Sequence, residues 1–146
     1  MYEFLRGTHS VLRYVILLGG IGAVATILMN AKSKVRLFST IFMVSCHIQF
    51  VIGFVLYFFV TDWFNLLKEN AGEVMKNSAY RFYAVEHWIM MLIAIVLITI
   101  GHGKAKRALV NNTPLRPTLI LYIVALVVIF AAIPWPFREA LGRGWL

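Results

Sequence analysis

Histidines are the residues of this chain best placed to do chemistry, and two of the four lie on one apolar run. Phe82 to His102, FYAVEHWIMMLIAIVLITIGH, carries Glu86 and His87 near one end and His102 at the other. A bilayer-spanning helix needs about 20 apolar residues, and an ionisable group inside one costs free energy, so by default it marks a site that uses it. His87 and His102 are 15 residues apart. At about 100° and about 1.5 Å per residue, that is a net turn of about 60° and a rise of roughly 22 Å. Both imidazoles then face the same broad side of one helix at two depths. Stacked ligands on a membrane helix suit a haem-carrying four-helix bundle, provided that neighbouring helices supply the opposite ligands.

His9 and His47 are the available partners. His47 lies deep in LFSTIFMVSCHIQFVIGFVLYFFV, beside Gln49 and too far from the headgroups to be solvated there. An interhelical hydrogen bond would satisfy it as well as a metal would. Counted from the first connection, His9 stands about 22 residues up its helix and His47 about 10 up its own, a height difference of roughly 18 Å. That matches the His87–His102 separation closely enough to pair His9 with His87 at an outer level and His47 with His102 at an inner one. Two bis-histidine haems would then stack through the bundle; a single haem between His47 and His87 is the simpler alternative. The run GGIGAVA gives the first helix a small-residue side. Gly20 there serves close helix packing, or clears room for a flat cofactor beneath His9.

Four apolar runs must position these residues: 9–30, 37–60, 82–102 and 115–133. With 61% apolar residues in a chain of 146, the sequence predicts a single integral membrane domain, all-α, folded as a four-helix transmembrane bundle. The net charge of +8 does not indicate nucleic acid, because of where it sits. Lys32, Lys34 and Arg36 fill the first connection, and Lys104, Lys106, Arg107 and Arg116 the third, with no acid in either. Short basic loops stay cytoplasmic, so both termini and the Asp62–Arg81 connection should face the outer side. Trp63, Trp88, Trp135 and Trp145 then fall near the outer interface, where amphipathic rings prefer to sit.

Within Asp62–Arg81, Phe64, Leu67, Ala71, Val74 and Met75 recur at helical spacing opposite Lys68, Glu69, Glu73 and Lys76. That pattern predicts a short amphipathic helix lying on the outer surface between the second and third spans. Arg13, one turn from His9, is expected to pair with Glu86 on the third span; alternatively Arg13 or Arg81 holds the propionates of a haem. The last helix, with Tyr122 its one ionisable group, reads as a stave ended by Pro134-Trp135-Pro136. The amino-terminal run lacks a cleavage-site pattern and is read as a retained helix. The one cysteine, Cys46, excludes an intramolecular disulfide, and no CxxCH stretch offers covalent haem attachment.

The segments HSVLRY (9–14), HIQFVIGFVLYF (47–58), YRFYAVEHWIMMLIAIVLITIGH (80–102) and AAIPWPF (131–137) together resemble a family of small four-helix bacterial membrane proteins labelled cytochrome-b-like. The resemblance implies a bacterial cytoplasmic membrane protein whose candidate axial ligands are His9, His47, His87 and His102.

No phosphate-cradling glycine loop, HExxH zinc pair or GxSxG nucleophile turn is present. The histidine arrangement and the resemblance together lead to the expectation of a b-type cytochrome moving electrons between a quinol and a redox partner protein. Two haem b groups, or one, would each be held by a histidine pair. Two alternatives come from other classes. One is a cofactor-free accessory subunit of a larger complex or homodimer, its histidines serving as interhelical glue. The other is a copper-handling protein that uses histidine with Met90 and Met91.

Overall fold

Backbone polar groups in an apolar chain must find partners within the chain, and helices provide them locally. The computed structural model describes residues 1–145 and has no strand among them. Helix α1 spans Tyr2–Leu28 and α2 spans Lys32–Val55, the latter running on as a π-helical turn over Leu56–Val60. Three short helices follow: α3 (Trp63–Glu69), α4 (Ala71–Lys76) and α5 (Ser78–Arg81). A second π turn, Phe82–Glu86, leads into α6 (His87–Asn111); α7 covers Arg116–Ala132, and a 3-10 turn Glu139–Leu141. Three segments are long and apolar enough to cross a membrane: Tyr2–Leu28, Lys32–Val60 and Ser78–Asn111. The apolar helix α7 is shorter, at 17 residues.

The long helices overrun the apolar stretches of the sequence. Helix α1 begins at Tyr2, ahead of the apolar run, so His9 stands two turns inside it. Lys32, Lys34 and Arg36 belong to the first turns of α2, and Lys104, Lys106 and Arg107 to the last turns of α6. Apolarity marks lipid depth only, whereas Lys, Arg and Ala continue a helix readily. The turns at this basic end are correspondingly tight. Asn30 (φ 54°) and Asn112 (φ 51°) adopt the left-handed conformation that ends α1 and α6. The next residue closes each turn, Ala31 N–H to Thr26 O at 2.9 Å and Thr113 N–H to Ala108 O at 3.0 Å.

The connection between α2 and α6 is not the one amphipathic helix that its periodicity predicts. It breaks at Asn70 and Asn77, and the Asn77 side chain accepts from the backbone N–H groups of Ala79 and Tyr80 to start α5. Asparagine competes with the helical backbone in this way. Of the expected apolar face, Val74 is fully buried, while Phe64 and Met75 are exposed.

Around the bundle α1 packs on α2 and α7, and α6 packs on α2 and α7. Phe42, Ile98, Tyr122 and Ala125 form the centre, each fully buried. Gly20 lets α1 come close there. A Cβ at that position would lie 2.6 Å from Leu126 Cδ2 and 2.9 Å from the Phe42 ring. The Gly20 side of α1 is thus filled by Phe42 and Leu126 rather than left open beneath His9.

Candidate functional site

Residues of α1, α2 and α6 build the site, at the end of the bundle opposite the basic turns. On α1, Arg6, His9 and Arg13 follow i, i+3, i+7 spacing and so share one face. On α2, Gly53 stands opposite His9, where a Cβ would come within 3.1 Å of His9 Cε1. One turn below, Gln49 Nε2 donates to the His9 carbonyl at 2.8 Å, tying α2 to α1. On α6, His87 follows directly on the π turn. The imidazoles of His9 and His87 face each other across the bundle with ring centroids 6.2 Å apart, at 63°.

The chain fixes the orientation of His87 through two prolines. In α7 the carbonyls of Phe130 and Ala132 would normally accept from residues 134 and 136. Both are proline and have no N–H to give. Trp135 Nε1 fills the first vacancy, donating to Phe130 O at 2.9 Å. His87 fills the second, its Nδ1 2.7 Å from Ala132 O. A carbonyl only accepts, so Nδ1 carries the proton and the lone pair is left on Nε2.

The second support is the junction of the two π turns. In the first, Thr61 N–H bonds Leu56 O, and in the second, His87 N–H bonds Phe82 O, each five residues back. The widened turn at Ala84 leaves its carbonyl to side chains. Tyr57 OH donates to it from the first π turn at 2.6 Å and Trp88 Nε1 at 2.9 Å. Turns of this kind recur at functional sites, because the extra residue re-aims the side chains that follow.

Between these elements lies a cavity of about 210 Å³, lined by His9, His87, Arg13, Gln49, Gly53 and Met91 among others. Phe54, Phe58 and Trp88 also line it and are exposed on the outer surface, so it opens at the seam between α2 and α6. Among the described residues three arginines line it, Arg6, Arg13 and Arg143, and no acidic residue does. Among the described residues, three buried side-chain polar atoms lack a hydrogen-bond partner: His9 Nδ1, Arg13 Nε and Gln49 Oε1. All three belong to residues of this cavity. A buried polar group left unpaired costs about 1–3 kcal/mol, and water or a ligand in the cavity would relieve that cost.

The remaining residues singled out from the sequence lie elsewhere. His47 is exposed; its Nδ1 is 2.8 Å from its own helix at Met43 O, and its Nε2 lies 3.5 Å from Thr99 Oγ1. His102 Nδ1 is 2.9 Å from Ser39 Oγ, which also bonds the Tyr122 hydroxyl. Ser39 is eight residues from His47 on α2, about 12 Å along the axis. The structure therefore does not bring His47 and His102 together, nor His47 and His87. Arg13 does not meet Glu86. It donates to Trp145 O and to Tyr14 OH, the latter at 3.0 Å. Glu86 is paired by Arg81, five residues back across the π turn, at 2.7 Å. Arg81 also reaches Met75 O and does not line the cavity. Nearness along the chain won over the cross-helix pair. Sequence reasoning passed over Gly53, Arg6 and Arg143; the spacing of Arg6, His9 and Arg13 and the PWP stretch were the available clues.

The arrangement fits a metal held from two sides. Two metal–nitrogen bonds of about 2 Å each, with the half-widths of two five-membered rings, span roughly 6 Å. Among the described residues no group of three His, Cys, Asp or Glu side chains gathers at one place. A pair of imidazoles is what an iron already held by a macrocycle would need, and the missing side chain at Gly53 makes room for the His9 ring itself. No protein-family model, curated protein or solved structure matches this chain.

Proposed function

We propose that the chain crosses the bacterial cytoplasmic membrane four times and holds one haem b between His9 and His87, as an electron carrier. The observation that carries this reading is the pair of imidazoles facing at 6.2 Å across an open cavity. His9 and His87 would hold the haem, and a haem held by two histidines would supply one-electron transfer in preference to binding of a substrate. The chain's own residues do the rest. Ala132 O sets the tautomer of His87 and keeps its Nε2 turned to the ligand. Ile16, Ala94 and Ile129 close the floor of the cavity and exclude water from it. The seam between α2 and α6 faces lipid, where a quinol would exchange electrons with the bound group. Seven basic residues at the opposite end support a cytoplasmic placement of that end, with both termini outside.

His47 and His102 belong to a different role in this reading. The Ser39–His102 and Ser39–Tyr122 bonds join α2, α6 and α7, as polar side chains do between membrane helices. An accessory subunit without cofactor would use its histidines in that way throughout.

An extracted-haem assay on purified protein, expressed with ample haem, tests the proposal. One haem per chain is expected, lost in His9→Ala and His87→Ala and kept in His47→Ala and His102→Ala. No haem in the wild type would leave the accessory-subunit reading standing. Loss with His47→Ala or His102→Ala would move the site to the inner level.

A further inference from the structure

We propose that the cavity contains a carboxylate subsite, built by Arg13 together with Arg6 and Arg143, which takes the two acidic side chains of a porphyrin. This deepens the haem reading and rests on it for the identity of the ligand. Arg13 is 8% exposed, and its Nε has no partner. Its other bonds go to neutral oxygens, the Trp145 carbonyl and the Tyr14 hydroxyl. Among the described residues, the ion pairs are Arg6–Glu3, Lys76–Glu73 and Arg81–Glu86. None neutralises Arg13 or Arg143. Arg143 rests over the Tyr83 ring at 5.1 Å, and the Arg6–Glu3 contact is a long 3.9 Å.

Among the described residues, three guanidinium groups thus border one apolar cavity that no acidic side chain lines. A buried charge such as Arg13 is stabilised by a counter-charge brought to it, and a carboxylate-bearing ligand supplies one. A free porphyrin acid is apolar over most of its ring and carries two carboxylates on one edge. That polarity matches a floor of Ile16, Ala94 and Ile129 beneath three arginines. Guanidinium pairs with carboxylate through two parallel hydrogen bonds, which makes arginine the suited partner. Two of the three come from the histidine-bearing face of α1. The third comes from the segment that follows the 3-10 turn, which Tyr83 OH holds in place by donating to Leu141 O at 2.8 Å.

The test compares protoporphyrin IX with its dimethyl ester, metal-free, by fluorescence titration of the purified protein in detergent. Without iron the histidines contribute no metal bond, so the comparison isolates the carboxylates. The free acid should bind the wild type about tenfold or more tightly than the ester. The ratio should fall toward one in Arg13→Gln. It should fall part-way in Arg143→Gln, whose position outside the helices leaves folding intact. Equal affinity for acid and ester in the wild type overturns the subsite, as does full preference retained in both variants. Iron protoporphyrin, added separately, reports on the histidines through its six-coordinate spectrum. Preference for the acid without that spectrum keeps the subsite and removes the axial pair; the spectrum without preference does the reverse. Binding of neither porphyrin overturns both.

Discussion

Replacing Gly20 by alanine adds one methyl group where α1 lies closest to its neighbours. That methyl would stand 2.6 Å from Leu126 Cδ2 and 2.9 Å from Phe42 Cε2 and Cζ. Leu126 can shift its terminal carbon, but the Phe42 ring cannot readily give way. It is fully buried and meets Tyr122 edge-on at 5.4 Å. Overpacking of this kind costs about 1–3 kcal/mol, whereas alanine is favoured over glycine in a helix by about 0.5–1 kcal/mol. The net expectation is a loss of about 1–2 kcal/mol, or a fall in Tm of roughly 2–8 °C for a chain of this size. Gly7 supplies the control on the same helix, since nothing lies within 4 Å of a Cβ there. Gly7→Ala should show only the helix preference and raise Tm by roughly 1–4 °C. Thermal unfolding of both variants in one detergent gives the signs directly. A rise in Tm for Gly20→Ala as large as that for Gly7→Ala would refute the close approach of α1 to Phe42.

Three further outcomes are expected. Glu86→Gln should cost no more than about 1 kcal/mol, because the Arg81–Glu86 pair is over a third exposed on both sides; a Tm far below that of Glu73→Gln would contradict this placement. Gly53→Leu, which puts a side chain against His9, should abolish haem uptake while circular dichroism stays at the wild-type level. Gly103→Leu, where nothing lies within 4 Å, should leave uptake intact, and equal uptake by the two would separate Gly53 from the site. A reporter fused after Leu146 should be active only outside the cytoplasm, and cytoplasmic activity would reverse the assigned orientation.

Hydropathy made the helical architecture legible, because a run such as Leu115–Ile133 has few other ways to satisfy its backbone in lipid. The outer pair was legible too: height along the helices placed His9 level with His87, and their rings stand 6.2 Å apart. The same arithmetic failed for His47 and His102. Height fixes level but not azimuth, and His47 turns outward to Met43 O while His102 turns to Ser39. The Arg13–Glu86 expectation failed for a local reason. A π turn brings Arg81 within reach of Glu86, and nothing in the periodicity of FYAVE announces that turn. Of the cavity arginines Arg13 was named from the sequence, but Arg6 and Arg143 were passed over, Arg143 because it reaches the cavity only through the fold of the chain after α7.

The π turn at Phe82–Glu86 also changes what a difference in chain length would mean. Its five residues close with a bond from His87 back to Phe82, one residue more than an α-turn contains. Deleting one of them would let α5 run into α6 as a regular helix. His87–Asn111 would stay seated against α7, and everything upstream would turn by about 100°. Arg81 and Glu86 would then stand four apart, a spacing at which they still pair, but Tyr83 would swing away from the Leu141 carbonyl that it now holds. The helix would heal, but the segment carrying Arg143 would lose its anchor. A one-residue change of length here is thus felt as a rotation of the cap over the cavity rather than as a shift along the membrane helix.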